Sequence, residues 1–171
     1  MRSSFVAAAL LMFVAAPAQA ANPIAKQMLS VARRAGVSFS IASVCGGSTG
    51  NLATFHPHTR HMCMSERVMG SGKESAFKTL THEMVHVAQS CLGNKSVLLT
   101  AVERGVISMT TAKRLLKNRI HSQDLEGHVR RVVSGSPNRL HGLHEAEAYA
   151  LQRSPQTVLA LLESSCRGRT A

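Results

Sequence analysis

Apolar positions recur along this chain with two different periods. Between Asn22 and Ala35 they fall at Ile24, Met28, Val31 and Ala35, the spacing of one helix face. Asn22-Pro23 supplies a cap and a first-turn proline, and Gly36 supplies a stop. The period then drops to two: Val37, Phe39 and Ile41 alternate with Ser38, Ser40 and Ala42, which predicts a strand. The stretch GGSTGN is a turn signal. LATF and RHMCMSERVM read as one or two further strands, broken at HPHT. Ser71 and Glu74 have capping-box spacing and open a predicted central helix from about Gly72 to Cys91, with Gly93 just past its end. Beyond Asn94 helical spacing predicts helices at 95–104, 109–120, 122–133, 138–152 and 155–165. Strands thus lie between an N-terminal helix and the central helix, and helices fill the rest. That is an α+β order, not alternating βαβ, with a small sheet on the central helix and a mostly helical C-terminal half.

The first twenty residues stand apart from this pattern. Arg2 precedes an apolar run, Phe5–Ala16, that is too short to span a bilayer comfortably. Ala18-Gln19-Ala20 is an A-x-A cleavage site, so residues 1–20 read as a Sec-type signal peptide and 21–171 as a single domain in the secreted or periplasmic space. No later apolar run has transmembrane length. All four cysteines, Cys45, Cys63, Cys91 and Cys166, lie in the exported part, and an even count there suggests two disulfides. Three connectivities are open to four cysteines. The pairing Cys45–Cys63 and Cys91–Cys166 is the expectation, because the first two flank a strand–turn–strand unit and the second two end helices that could fold across each other.

Charge is lopsided, with 20 Lys+Arg against 9 Asp+Glu and a net +11. A basic exported protein can meet an anionic surface. The densest run, Lys113–Ile120, interleaves its cations with Leu115, Leu116 and Ile120 and reads as an amphipathic helix. With no Trp and one Tyr, platforms for stacking bases are scarce, and no specific nucleic-acid partner is expected.

The chemistry concentrates in the central helix. His82, Glu83 and His86 spell H-E-x-x-H. Residues i and i+4 share a helix face, so both imidazoles can reach one ion, while Glu83 is turned roughly 100° away, placed to act on a water rather than to ligate. Two imidazoles and one carboxylate suit Zn²⁺, with a fourth position open for water and Glu83 as general base. Leu80, Met84, Val87 and Ala88 would hold the helix in the core. A third ligand is needed. The pattern H-E-x-x-H-x-x-G-x-x-H fails, since position 89 is Gln and position 92 is Leu. In the predicted helix at 138–152, Glu145 and Glu147 both meet the form E-x-x-A among small residues that allow close helix packing. Glu145 is preferred, because Tyr149 then lies one turn on, able to orient a ligand. Glu147 is the alternative. His141, one turn before Glu145, is placed to contact substrate or a developing oxyanion.

These residues resemble the zincin metallopeptidases of the gluzincin type, with H-E-x-x-H on one helix and a glutamate on a later one. More loosely, the chain is similar to the processing-protease family of the mitochondrial intermembrane space that matures an ATP synthase subunit. The similarity rests on Cys45-Gly46-Gly47, Phe55-His56-Pro57, Cys63, Thr81–His86, Cys91 and Glu145–Ala148, in that order. The 58 residues between His86 and Glu145 are far more than that family uses. The resemblance implies a zincin-like fold, zinc, and hydrolysis of a peptide or protein substrate.

Rival readings exist. His56–Met64 packs three histidines, two methionines and a cysteine into nine residues, soft enough for copper in an exported metal-binding protein. A basic binding protein that kept a zincin fold without activity is a further alternative, though Glu83 is intact. Gly46–Gly50 matches G-x-S-x-G but lies between two predicted strands instead of at a strand-to-helix elbow, so a serine hydrolase is not expected.

Overall fold

The computed structural model describes residues 22–47, 51–120 and 139–168, with backbone alone at 117–120 and 139–141. The expected signal peptide and the expected helix at 122–133 lie outside the described residues. Helix α1 (Pro23–Arg34) starts where Asn22 Oδ1 accepts the Ile24 N–H at 3.0 Å. It ends in a Schellman turn: Gly36, at φ 81°, sends its N–H to Arg33, and Val37 sends its own to Ala32. Strands β1 (Ser38–Ala42), β2 (Ala53–His56) and β3 (His61–Ser65) follow. They form one sheet in the order β1-β3-β2, with β1 parallel and β2 antiparallel to β3.

The expected strand through Val68 and Met69 stops early. Ser65 Oγ accepts the Val68 N–H at 3.2 Å and turns the chain into a short helix, α2 (Glu66–Gly70). This also displaces the expected capping box. The Ser71 hydroxyl donates backward to the Val68 carbonyl at 2.8 Å, and Gly72, at φ 101°, caps helix α3 (Lys73–Cys91) without a side-chain bond. At its far end α3 closes as α1 does, with Gly93 bonding to Ser90 and Asn94 to Gln89. Helices α4 (Val97–Glu103), α5 (Met109–Ile120), α6 (Arg139–Leu151) and α7 (Pro155–Cys166) complete the chain. The described residues therefore give an α+β protein of seven helices and three strands. None of these helices is long and apolar enough to cross a membrane.

The core forms around α3, which packs against α1, α6, α7 and β2. Its apolar stripe, Leu80, Met84, Val87, Ala88 and Cys91, is buried against Met28, Val31, Met62, Ala148, Leu161 and Leu162. Burying each large aliphatic here stabilises by about 1.5–3 kcal/mol. Truncating one that is wholly enclosed, such as Met84, would cost roughly 2–5 kcal/mol through the cavity left behind. Disulfides Cys45–Cys63 and Cys91–Cys166 are both present. The first ties the turn after β1 to β3, and the second pins α7 across the end of α3. With its apolar face held this way, the polar face of α3 is left to line a cleft.

Candidate metal centre

A cleft of about 840 Å³ opens between α3, α6 and strand β2. His82, Glu83, His86, Glu145 and Tyr149 all line it. The i,i+4 spacing brings His82 Nε2 and His86 Nε2 within 3.2 Å of each other. From α6, Glu145 turns one oxygen to each ring, Oε2 at 3.4 Å from His82 and Oε1 at 3.2 Å from His86. The close approach of α6 is allowed by its small residues; Ala148, in the third position after Glu145, is wholly buried in the interface.

His82, His86 and Glu145 can thus hold a metal ion. They are the only group of three or more such ligands among the described residues. A tetrahedral ion with bonds near 2.0–2.1 Å spreads its ligand atoms about 3.3 Å apart. Separations of 3.2–3.4 Å among the three donors fit that spacing.

Electrostatics divide the acids sharply. Burial pushes the Glu145 carboxyl up, but hydrogen bonds and charge from His82 and His86 outweigh it and hold the group well below the usual carboxylate range. Burial would lower the His86 imidazole. Its bond to Glu145, the charges of Glu145 and Glu83 and a bond to Gln89 win instead, and the net shift is upward. Glu83 is only 6 % exposed. Burial raises its pKa more than His82, His86 and a hydrogen bond from the Phe55 backbone lower it. It stands beside the triad and is not one of the three.

Helix geometry places Glu145, and not Glu147, beside the two histidines. Two residues apart on α6, they point roughly 200° apart around its axis. Glu147 faces away from the cleft. It takes the N–H groups of Val97 at 3.1 Å and Leu98 at 3.2 Å, the Ser96 hydroxyl, and the Gln89 amide at 3.0 Å. This carboxylate caps α4 from another part of the chain and reaches His86 only through Gln89. Tyr149 lies edge-on to His82, ring centroids 4.7 Å apart, and packs against that ring. His141 sits in α6 one turn before Glu145, with its side chain outside the described residues.

Gln89 is the residue the sequence reading passed over. It registers there only as the wrong residue for a glycine, yet its Oε1 meets His86 Nδ1 at 2.8 Å. The available signal was its position, three residues after His86 and so on the same helix side.

The stretch His56–Met64 does not converge. Met62 is wholly buried in the core, Cys63 is in its disulfide, and His56 and His58 are exposed. His61 is held at both ring nitrogens, Nδ1 by Ser38 and Nε2 by Ser40, each at 2.8 Å. Comparison of the chain with protein-family models, curated proteins and solved structures gives no match.

Proposed function

We propose that this protein is an exported zinc metallopeptidase in which His82, His86 and Glu145 hold the ion and Glu83 is the general base. The observation that carries the proposal is the meeting of His82, His86 and Glu145 in an open cleft, with a second, buried carboxylate, Glu83, beside them. Two imidazoles and a carboxylate are a donor set that zinc favours in catalytic sites. When bound, the ion would supply Lewis acidity to a water and to the scissile carbonyl.

The chain's own residues divide the remaining work. Glu83 takes a proton from the attacking water as the oxygen adds to the carbonyl carbon. It returns that proton to the leaving nitrogen as the C–N bond breaks. Strand β2 orients the substrate. Ser65 N–H bonds to Leu52 C=O at 2.9 Å, so the pairing alternation turns the N–H and C=O of Ala53 and Phe55 away from β3, toward the cleft, where the Phe55 N–H serves Glu83 and the other groups face outward. β2 is one of the two edges of the sheet. An extended peptide could add to that edge by main-chain hydrogen bonds, a mode that demands little of sequence.

Two disulfides, and an N-terminus built like a signal peptide, support an exported location. The basic surplus suits contact with an anionic surface. The test is Glu83→Gln on an unstructured protein substrate, with zinc measured in the same samples. The variant is expected to keep zinc and to lose at least about 10²-fold in turnover. Equal turnover of the two proteins would refute the role of Glu83.

A further inference from the structure

Behind the ligands lies a second set of polar groups that the hydrolytic chemistry does not use. Gln89 is 2 % exposed, and its amide is fully engaged. Its nitrogen donates to the His144 carbonyl at 3.1 Å and to Glu147 Oε2 at 3.0 Å. The His144 carbonyl can only accept. Glu147 is saturated with donors: Val97 N–H and the Gln89 amide on one oxygen, Leu98 N–H and the Ser96 hydroxyl on the other. The orientation of the amide is therefore fixed by its partners, with the NH₂ toward Glu147 and the oxygen toward His86. An amide oxygen cannot donate. The hydrogen in the 2.8 Å contact sits on His86 Nδ1; at Nε2 the Glu145 carboxylate also accepts, so an ion bound there would take the place of a proton while Gln89 keeps the Nδ1 hydrogen.

We propose that Gln89 is the positioning residue for His86 and that Glu147 anchors it. Together they fix the ring's angle and hold a hydrogen on Nδ1, and they couple the metal site to the seating of α4. Glu147 does both jobs with one carboxylate, since the groups that cap α4 and the group that holds Gln89 are bound by the same two oxygens. A loosened α4 would free Glu147, release Gln89 and let His86 turn. This rests on the metal reading of His82, His86 and Glu145, but the hydrogen bond from His86 Nδ1 to Gln89 does not need the metal.

The experiment has two readouts. Zinc affinity is measured by competition with a chromophoric chelator, and the hydrogen on His86 Nδ1 by long-range ¹H–¹⁵N NMR of the metal-free protein. Wild type is expected to carry its hydrogen on Nδ1. Gln89→Leu, with disulfides and helix content unchanged, is expected to lose that preference and to bind zinc about 10–100-fold more weakly, the usual worth of a partner to a metal-bound histidine. A folded Gln89→Leu with wild-type affinity and an unchanged Nδ1 hydrogen overturns the proposal. So does a wild-type spectrum with no hydrogen on Nδ1, which needs no variant to fold. If wild type takes up no zinc, the metallopeptidase reading falls while the NMR result still decides this one.

Discussion

Between His56 and Met64 the chain carries three histidines, two methionines and a cysteine; between Thr81 and His86 it carries two histidines and one glutamate. The poorer stretch makes the site. A strand sends neighbouring side chains to opposite faces, so Met62 goes to the core while His61 and Cys63 go to the other side, where serines and a disulfide engage them. A helix returns to the same face every three to four residues, so two histidines at i and i+4 converge with nothing else required. Ligand density along a sequence therefore says little until its period is matched to the element that carries it.

The largest test of this contrast lies on α6. Glu145→Ala is expected to weaken zinc by more than the ~10–100-fold worth of a residue that only supports a ligand. It should disturb the metal-free fold less than Glu147→Ala does. Glu147→Ala leaves two backbone N–H groups, a hydroxyl and the Gln89 amide without their acceptor. It is expected to cost roughly 2–4 kcal/mol in urea unfolding of the metal-free protein. If Glu147→Ala abolished zinc binding and Glu145→Ala did not, the cleft would have to be redrawn around the other acid.

The histidine-rich strand gives the next test. Replacing Cys45 and Cys63 together with Ala opens a bridge whose cysteines are 18 residues apart, which chain entropy values at about 3 kcal/mol. Zinc stoichiometry should be untouched, since Cys63 acts as a staple and not as a ligand. A loss of bound metal that outran the loss of folded protein would contradict that.

Smaller still are the histidines themselves. His61→Ala removes two hydrogen bonds at a partly open position and should cost about 1 kcal/mol, read from the urea midpoint. His56→Ala and His58→Ala should change neither stability nor metal content measurably, as both side chains are exposed. Copper bound tightly by wild type and lost in these two variants would revive the rival reading.

Much of this could be read from the sequence, for local reasons. Asn22-Pro23 and Gly36 bound α1 as expected, and Gly93 ends α3, because caps and left-handed stops depend on a few adjacent residues. H-E-x-x-H marked its own cleft face, and the small residues around Glu145 marked a tight helix contact. What escaped was set by partners far along the chain. Ser71 fits a capping box until α2, ending beside it, claims its hydroxyl. The parallel pairing of β1 with β3, with β2 outside, leaves no mark in the alternation of either strand. Glu147 looks like a solvated helix residue because the groups it caps lie about 50 residues earlier. Gln89, neutral and unremarkable in sequence, gains its role only when that carboxylate arrives behind it.

Zinc content, measured by elemental analysis of the purified protein beside His86→Ala, tests the central claim most directly. One zinc per folded chain in wild type, and little or none in His86→Ala after the same dialysis against a weak chelator, is the expected result. Wild-type protein that is folded, disulfide-bonded and unable to take up zinc, or a His86→Ala variant that retains it as firmly, would contradict the assignment of His82, His86 and Glu145 as a metal centre.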